Sequence, residues 1–151
     1  MPTNYIVTAS KDIDAPPDRV YSIIADYHNG HPHILPKAFS NLIVEQGGIG
    51  AGTVIRFEVR AFGQTQIFRA KVSEPEPGRV LVEENVEPAP SKTTFTVAKG
   101  PSGNGSRVTF VTEMTSRDGL PGAIERFLSK RFLRKAYREE LGLLAARSGR
   151  L

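Results

Sequence analysis

Between Ser40 and Thr115 the chain alternates apolar and polar residues with a period of two, and five turn-forming clusters interrupt the alternation. They are Gly47 to Gly52, Phe62-Gly63, Glu74 to Gly78, Glu87 to Ser91 and Gly100 to Gly105. None is long enough to carry a crossover helix, so each strand must fold back on the one before it, and an antiparallel meander is expected. Parity then assigns faces. Ile55, Phe57, Val59 and Ala61 share one side, opposite Arg56, Glu58 and Arg60. By the same rule Phe68, Ala70 and Val72 point inward, as do Phe95 and Val97, and as do Val108, Phe110, Thr112 and Met114. From residue 80 to 86 the apolar set is Val80, Val82 and Val86, which places Glu84 on the inward face. A register with Leu81, Glu83 and Asn85 inward, or a bulge turning Glu84 to water, is the rival reading.

Helical patterns flank this strand region. Tyr5 to Ile13 alternates as a strand and stops at Asp14-Ala15-Pro16-Pro17. Proline suits a first helical turn because its missing N–H would have no partner there, and Asp18 places negative charge at the positive end of the helix dipole. Val20, Ile23, Ile24 and Tyr27 then form one apolar stripe. Residues 28 to 39 are broken by Gly30, Pro32 and Pro36, so only a short turn or lid-like loop fits. The last element starts after Asp118-Gly119-Leu120-Pro121 and runs to about Arg147, a long helix for so small a chain. Its apolar stripe begins as Leu120, Ile124, Phe127 and Leu128 and resumes in a rotated phase as Leu133, Tyr137, Leu141 and Leu144, leaving open which face carries Arg131 and Arg134.

The stretch Ile13-Asp14-Ala15-Pro16-Pro17-Asp18-Arg19-Val20-Tyr21-Ser22-Ile23-Ile24-Ala25-Asp26-Tyr27 is followed by Leu35-Pro36, by Gly47-Gly48-Ile49-Gly50-Ala51-Gly52-Thr53, and by Gly105-Ser106-Arg107-Val108-Thr109-Phe110. In that order these motifs resemble the SRPBCC superfamily of START-like and polyketide cyclase/dehydrase-like proteins, over nearly the whole chain from Tyr5 to Leu144. The resemblance implies an α+β helix-grip fold: a curved antiparallel sheet of about seven strands wrapped around a long C-terminal helix, with one or two short helices after the first strand. It also implies a ligand cavity between sheet and helix, roofed by residues 28 to 39.

At 151 residues the chain is read as one domain, 1–151, large enough to bury roughly 70% of its unfolded surface. It has no cysteine, which removes disulfides, thiolate metal sites and thiol nucleophiles and suits a reducing compartment. The start, Met1-Pro2-Thr3-Asn4-Tyr5, lacks a signal-peptide pattern, and no run of about 20 apolar residues occurs, so a cytoplasmic location is expected. The net charge of +4 is concentrated from Arg117 onward, where nine Lys and Arg face four acids; the remaining eleven bases and twelve acids leave −1. A basic helix is in general a solvated face, with contact to an anionic membrane a weaker alternative. No aromatic residues alternate with the bases as a stacking platform would require, so nucleic acid is not an expected partner. Monomer and homodimer are equally compatible with the pattern.

His28, His31 and His33 are all the histidines. Pro32 separates the last two and no carboxylate is spaced to join them, so no metal site is expected, and no cofactor. A histidine at the pocket mouth, His31 or His33, is a candidate hydrogen-bond donor or acid/base group. Glu84, if inward, would be desolvated, with a raised pKa suited to the same chemistry. Arg131 would suit a carboxylate or enolate if its tip entered the cavity, although long arginines usually snorkel along an apolar surface into water. Tyr137 has the same choice. The glycines from 47 to 52 lack the Lys-Ser/Thr and following helix of a phosphate loop, and no nucleophile motif is present. The expected ligand wall comprises Tyr27, Leu35, Phe57, Val59, Phe68, Val82, Phe95, Phe110, Thr112 and Phe127. Binding of an apolar small molecule, lipid-like, polyketide-like or otherwise cyclic, is the leading reading. The alternatives are a polyketide cyclase or dehydrase with Glu84, His31, His33 and Arg131 as acid/base and charge-binding groups, and a membrane-docking carrier of a lipid or quinone.

Overall fold

In the computed structural model, which describes residues 3–87 and 90–149, strand β1 (Thr3–Ile13) runs directly into helix α1 (Pro17–Ala25). Pro17 occupies the first helical turn and Asp18 lies beside it, as the chemistry of a helix start requires. Val20, Tyr21, Ile24 and Ala25 form its buried face. A single 3-10 turn, His31–His33, precedes six strands: β2 (Phe39–Gln46), β3 (Val54–Ala61), β4 (Gln64–Glu76), β5 (Val80–Glu87), β6 (Ser91–Lys99) and β7 (Ser106–Ser116). Helix α2 (Gly119–Ser148) closes the chain. The turn expected at 87–91 includes Pro88 and Ala89, which lie outside the described residues.

The seven strands form one antiparallel sheet in the order β1-β7-β6-β5-β4-β3-β2. Strands β2 to β7 make the meander that the short connections dictate, and β1 adds to its far edge beside β7. Register shifts bend the sheet: β2 carries an extra residue between Ser40 and Ile43 and between Val44 and Gln46, β4 one between Ser73 and Glu76, and β5 one, Val86, opposite the step from Arg69 to Ala70. Each extra residue increases local twist, which is how a sheet curves around a helix. This is the helix-grip fold.

Parity holds along β3, β6 and β7: Ile55, Phe57, Val59, Phe95, Val97, Val108 and Phe110 are buried, whereas Arg56, Arg60 and Arg107 are exposed. Along β5 the expected phase is corrected. Leu81 pairs with Phe95 and Glu83 with Thr93, and directly opposed residues of an antiparallel pair project to the same face. Because Phe95 points inward, Leu81, Glu83 and Asn85 do too. Glu84 belongs to the outer face, exposed, with Lys71 and Lys92 as its cross-strand neighbours. Val86 is exposed as well; Val82 is buried but in this outward phase.

Helix α2 is 30 residues long and has two unlike halves. Its second half packs on β1, β7 and α1 through Ala136, Tyr137, Glu140, Leu141, Leu144 and Ser148. In the first half only Gly122 is fully buried, at a point where a Cβ would lie 1.6 Å from the Arg117 carbonyl oxygen. The early apolar stripe faces solvent: Leu120, Ile124, Phe127 and Leu128 are 74%, 53%, 63% and 42% exposed. Of the two phases, the one carrying Tyr137, Leu141 and Leu144 is the core phase, and Arg131 and Arg134 lie on the solvent side.

The β5 phase has a direct test. Leu81→Ala removes a fully buried side chain and is expected to cost about 2–5 kcal/mol, whereas Glu84→Ala is expected to stay within about 0.5 kcal/mol. Urea unfolding of both variants measures the difference; the reverse order would show that 80, 82, 84 and 86 face the core.

Candidate functional site

Helix α2 covers the β1–β7 side of the sheet, and between it, the concave face of β2–β6 and the 31–35 turn lies a cavity of about 240 Å³. One wall is aromatic. Phe57 and Phe68, directly paired across β3 and β4, stack at 5.5 Å, and Phe39 from β2 stacks on Phe57 at 5.9 Å. Leu35, Val59 and Phe95 extend this apolar surface. Phe62, in the β3–β4 turn with φ 54°, is 65% exposed and meets Phe132 of α2 at 5.8 Å; both line the cavity, and they mark its mouth.

The opposite end is polar. Thr93 and Thr112, opposed on β6 and β7, share a hydrogen bond of 2.8 Å, and Thr112 Oγ1 lies 2.5 Å from Tyr137 Oη. Burial pushes the Tyr137 hydroxyl up to about 12 despite the opposing pull of the two threonines, so it remains a neutral hydrogen-bonding group. Beside it, Glu83 from β5, Glu140 from α2 and His31 from the 3-10 turn converge on the cavity. His31 Nε2 lies 3.6 Å from Glu140 Oε2 and 3.8 Å from Glu83 Oε2.

Local structure holds that histidine in place. Gly30 fits against α1 only because it has no side chain: a Cβ there would come within 2.4 Å of the Ile23 carbonyl oxygen. The amides of Gly30 and His31 both bond to Asp26 O, turning His31 under the helix. Its Nδ1 lies 2.7 Å from Ile24 O. A carbonyl can only accept, so Nδ1 carries hydrogen and Nε2 is the atom presented to the carboxylates. Tyr27 stacks on the imidazole at 4.6 Å and its hydroxyl donates to Glu83 Oε2 at 2.5 Å. The glycine-rich loop buttresses Tyr27 from behind, Gly48 O accepting from its amide at 2.8 Å.

Glu140 is the unusual member. It is 3% exposed, and its Oε2 has no hydrogen-bond partner among the described residues. Desolvation, reinforced by the charge of Glu83, holds its carboxyl well above the usual range, favouring the protonated acid. Tyr27 is raised well above its ordinary value by burial and by Glu83, so its hydroxyl stays a donor. Asn85 Oδ1 is also buried without a partner, while its Nδ2 bonds to Ser91 Oγ at 2.8 Å. The arrangement therefore offers a proton donor, an imidazole nitrogen and acceptor oxygens at one end of an aromatic slot. Among the described residues no Lys or Arg lines it.

Of the residues expected at the site, His31, Leu35, Phe57, Val59, Phe68, Phe95 and Thr112 line the cavity. Tyr27 and Phe110 are buried one layer behind it, Phe110 edge-on to Phe95 and Tyr137 at 4.7 and 5.7 Å. Val82 lies in the outward phase of β5. Glu84, His33, Arg131 and Phe127 are exposed and outside the cavity, so their assignment to it is corrected: His33 emerges on the solvent side of the turn, and the other three follow from the β5 and α2 phases. Sequence reasoning placed Glu83 inward only in the rival register of residues 80 to 86, without a functional role, and missed Glu140. Glu140 sits within the stripe Tyr137, Leu141, Leu144, a position where a charged residue signals either a wrong phase or a functional group. Among the described residues no group of three or more His, Asp or Glu is arranged to hold a metal ion.

A family model described as "polyketide cyclase / dehydrase and lipid transport" matches residues 5–149. Among known structures, the chain is similar to the KanY protein (ms6282) solved by NMR, at 27% identity and TM-score 0.85, covering 98% of this chain and 99% of that one. It is similar to TTHA0849 from Thermus thermophilus, at 24% identity and TM-score 0.74, covering 95% and 97%. It also superimposes on the di-domain ARO/CYC protein StfQ of the steffimycin biosynthetic pathway, at 12% identity and TM-score 0.76, covering 95% of this chain and 50% of that one. The last two likenesses show the fold alone. No curated protein matches by sequence.

The buried acid makes stability depend on pH. A carboxyl with a raised folded pKa contributes stability that is full below its ordinary value of 4.5 and is lost as pH rises toward the folded value. Glu140→Gln removes that loss. The variant is expected to gain stability over the parent between about pH 5 and about pH 8, by up to ~1.4 kcal/mol per pH unit. Urea unfolding at the two pH values measures it; a difference that stays constant with pH would show that Glu140 titrates normally.

Proposed function

Because the chain belongs to the polyketide cyclase / dehydrase and lipid transport family of the SRPBCC superfamily, we propose that it binds a small ring-containing molecule in the cavity, apolar body against Phe39, Phe57 and Phe68 and polar end toward Glu140 and His31. The observation that carries this reading is the division of one cavity into a stacked aromatic wall and a buried acid/base end. A cavity of about 150 Å³ holds a benzene. One of about 240 Å³ therefore suits a molecule of roughly two fused rings. Burying roughly 200 Å² of apolar ligand surface contributes about 5 kcal/mol before the costs of association, so micromolar affinity needs one or two hydrogen bonds in addition. The absence of Lys and Arg from the lining disfavours a carboxylate or phosphate and favours a neutral ligand with a hydroxyl or carbonyl group.

Calorimetric titration with 1-naphthol and naphthalene tests the division. 1-Naphthol is expected to bind about tenfold more tightly, because its hydroxyl can pair with a buried oxygen otherwise left without a partner. Phe57→Ala should weaken both ligands by about tenfold or more, and Glu84→Gln neither. Failure of both ligands to bind, or equal effects of the two substitutions, would remove the cavity as the ligand site.

A second reading, acid/base catalysis on the bound molecule, is favoured by the 3.6 Å approach of His31 Nε2 to Glu140 Oε2. With Glu140 as the acid and His31 Nε2 as the base, a proton can leave the α-carbon of a ketone while its oxygen is protonated, the enolisation step common to aldol cyclisation and dehydration. Solvent-deuterium exchange at the α-carbon of 2-tetralone, a two-ring ketone, reports this step. Exchange by the native protein should exceed the buffer rate, and His31→Gln and Glu140→Gln should each lower it by roughly 10²-fold with little change in affinity. Exchange no faster than buffer would leave binding alone.

A further inference from the structure

We infer that the outward face of α2 from Leu120 to Arg138 is a docking surface for an anionic lipid bilayer. Leu120, Ile124, Phe127, Leu128, Arg131, Lys135 and Arg138 follow one another at spacings of four, three, one, three, four and three residues, which puts them on a single helical face. That face is turned away from the core side carrying Tyr137, Glu140, Leu141 and Leu144. Its composition is divided along the axis. The first three turns expose four large apolar side chains, with Phe127 63% and Leu120 74% accessible. The following turns expose Arg131, Arg134, Lys135 and Arg138, and none of these forms an ion pair among the described residues.

Charge complementarity selects the occupant. Glu125 and Glu139, the acids nearest this face, are engaged elsewhere: Glu125 Oε2 accepts from Arg117 Nε at 2.9 Å and Glu139 Oε2 from the Lys37 amide at 2.6 Å. Glu139 keeps its charge in accepting from a neutral amide, so four cations face one uncompensated carboxylate, and the face remains an apolar tip with a net positive segment behind it. A bilayer bearing anionic headgroups meets both parts, acyl chains taking the tip and phosphates the cations. A second copy of this chain would bring cations of its own to the same face. The apolar surface also continues past Leu128 to Phe132 and Phe62, the two residues at the cavity mouth. No helix among the described residues is long and apolar enough to cross a membrane, so the contact lies at the interface plane. This inference does not depend on what the cavity binds.

Sedimentation with vesicles tests it, using phosphatidylcholine alone and phosphatidylcholine with about one-third phosphatidylglycerol. The full-length protein is expected to partition onto the anionic vesicles at least about tenfold more strongly than onto the neutral ones, and added salt should weaken the binding. Phe127→Asp and the double change Arg131→Glu with Lys135→Glu should each lower partitioning by about tenfold or more. Both alter exposed side chains, and circular dichroism melts matching the parent would show that folding is intact. No binding, equal binding to both vesicles, or binding that survives both variants would overturn the proposal. So would a dimer in sedimentation equilibrium that Phe127→Asp dissociates, since the face would then belong to a second copy.

Discussion

A helix about 10 Å wide cannot cover a sheet of seven strands spaced about 4.8 Å apart. Most features of this protein follow from that mismatch. Helix α2 lies mainly over β1 and β7 and against α1, leaving the concave face of β2 to β5 largely uncovered. The bulges of β2, β4 and β5 curl the sheet toward the helix and reduce the uncovered area without eliminating it. Side chains fill what remains only in part. The row Phe39, Phe57, Phe68 lines the gap because stacked rings keep apolar surface in mutual contact even where one side stays open.

The polar end of the cavity arises where three elements meet that are distant in the sequence. Strand β5 contributes Glu83, α2 contributes Glu140, and the turn after α1 contributes His31. Two carboxyl groups beside one another in a low-dielectric site cannot both ionise cheaply. Tyr27 relieves Glu83 with a hydrogen bond, whereas Glu140 has no such partner and is the one driven toward its neutral form. A packed apolar triad of similar volume would be at least as stable a solution. Stability alone therefore gives no reason for three polar groups at this place. The tautomer of His31 is part of the same construction, since Ile24 O holds one ring nitrogen and frees the other.

Helix α2 serves two environments along its length. Its second half is a core element, buried through Tyr137, Leu141 and Leu144, while its first half leans over the mouth and keeps a full apolar stripe in water. A helix that changes its buried phase midway shows weak overall amphipathicity, and this explains why two incompatible stripes can be read from one segment. The protein's surplus of bases over acids lies from Arg117 onward in the sequence, and Arg131, Arg134, Lys135 and Arg138 carry part of it on the solvent side of α2.

The strand count, the antiparallel meander, the helix start at Pro17 and the inward faces of β3, β6 and β7 were all determined by the sequence, because turn chemistry and period-two alternation are local properties. Part of the cavity wall was legible on the same basis, including Phe57, Phe68, Phe95 and Thr112. The rest required tertiary structure. In β5 the valines at 80, 82 and 86 argue for one phase, and only pairing with the already oriented β6 decides for Leu81, Glu83 and Asn85. In α2 both stripes are apolar, and only the position of the sheet selects between them. The proximity of His31 to Glu140 joins residues 109 positions apart, and no local pattern encodes such a distance.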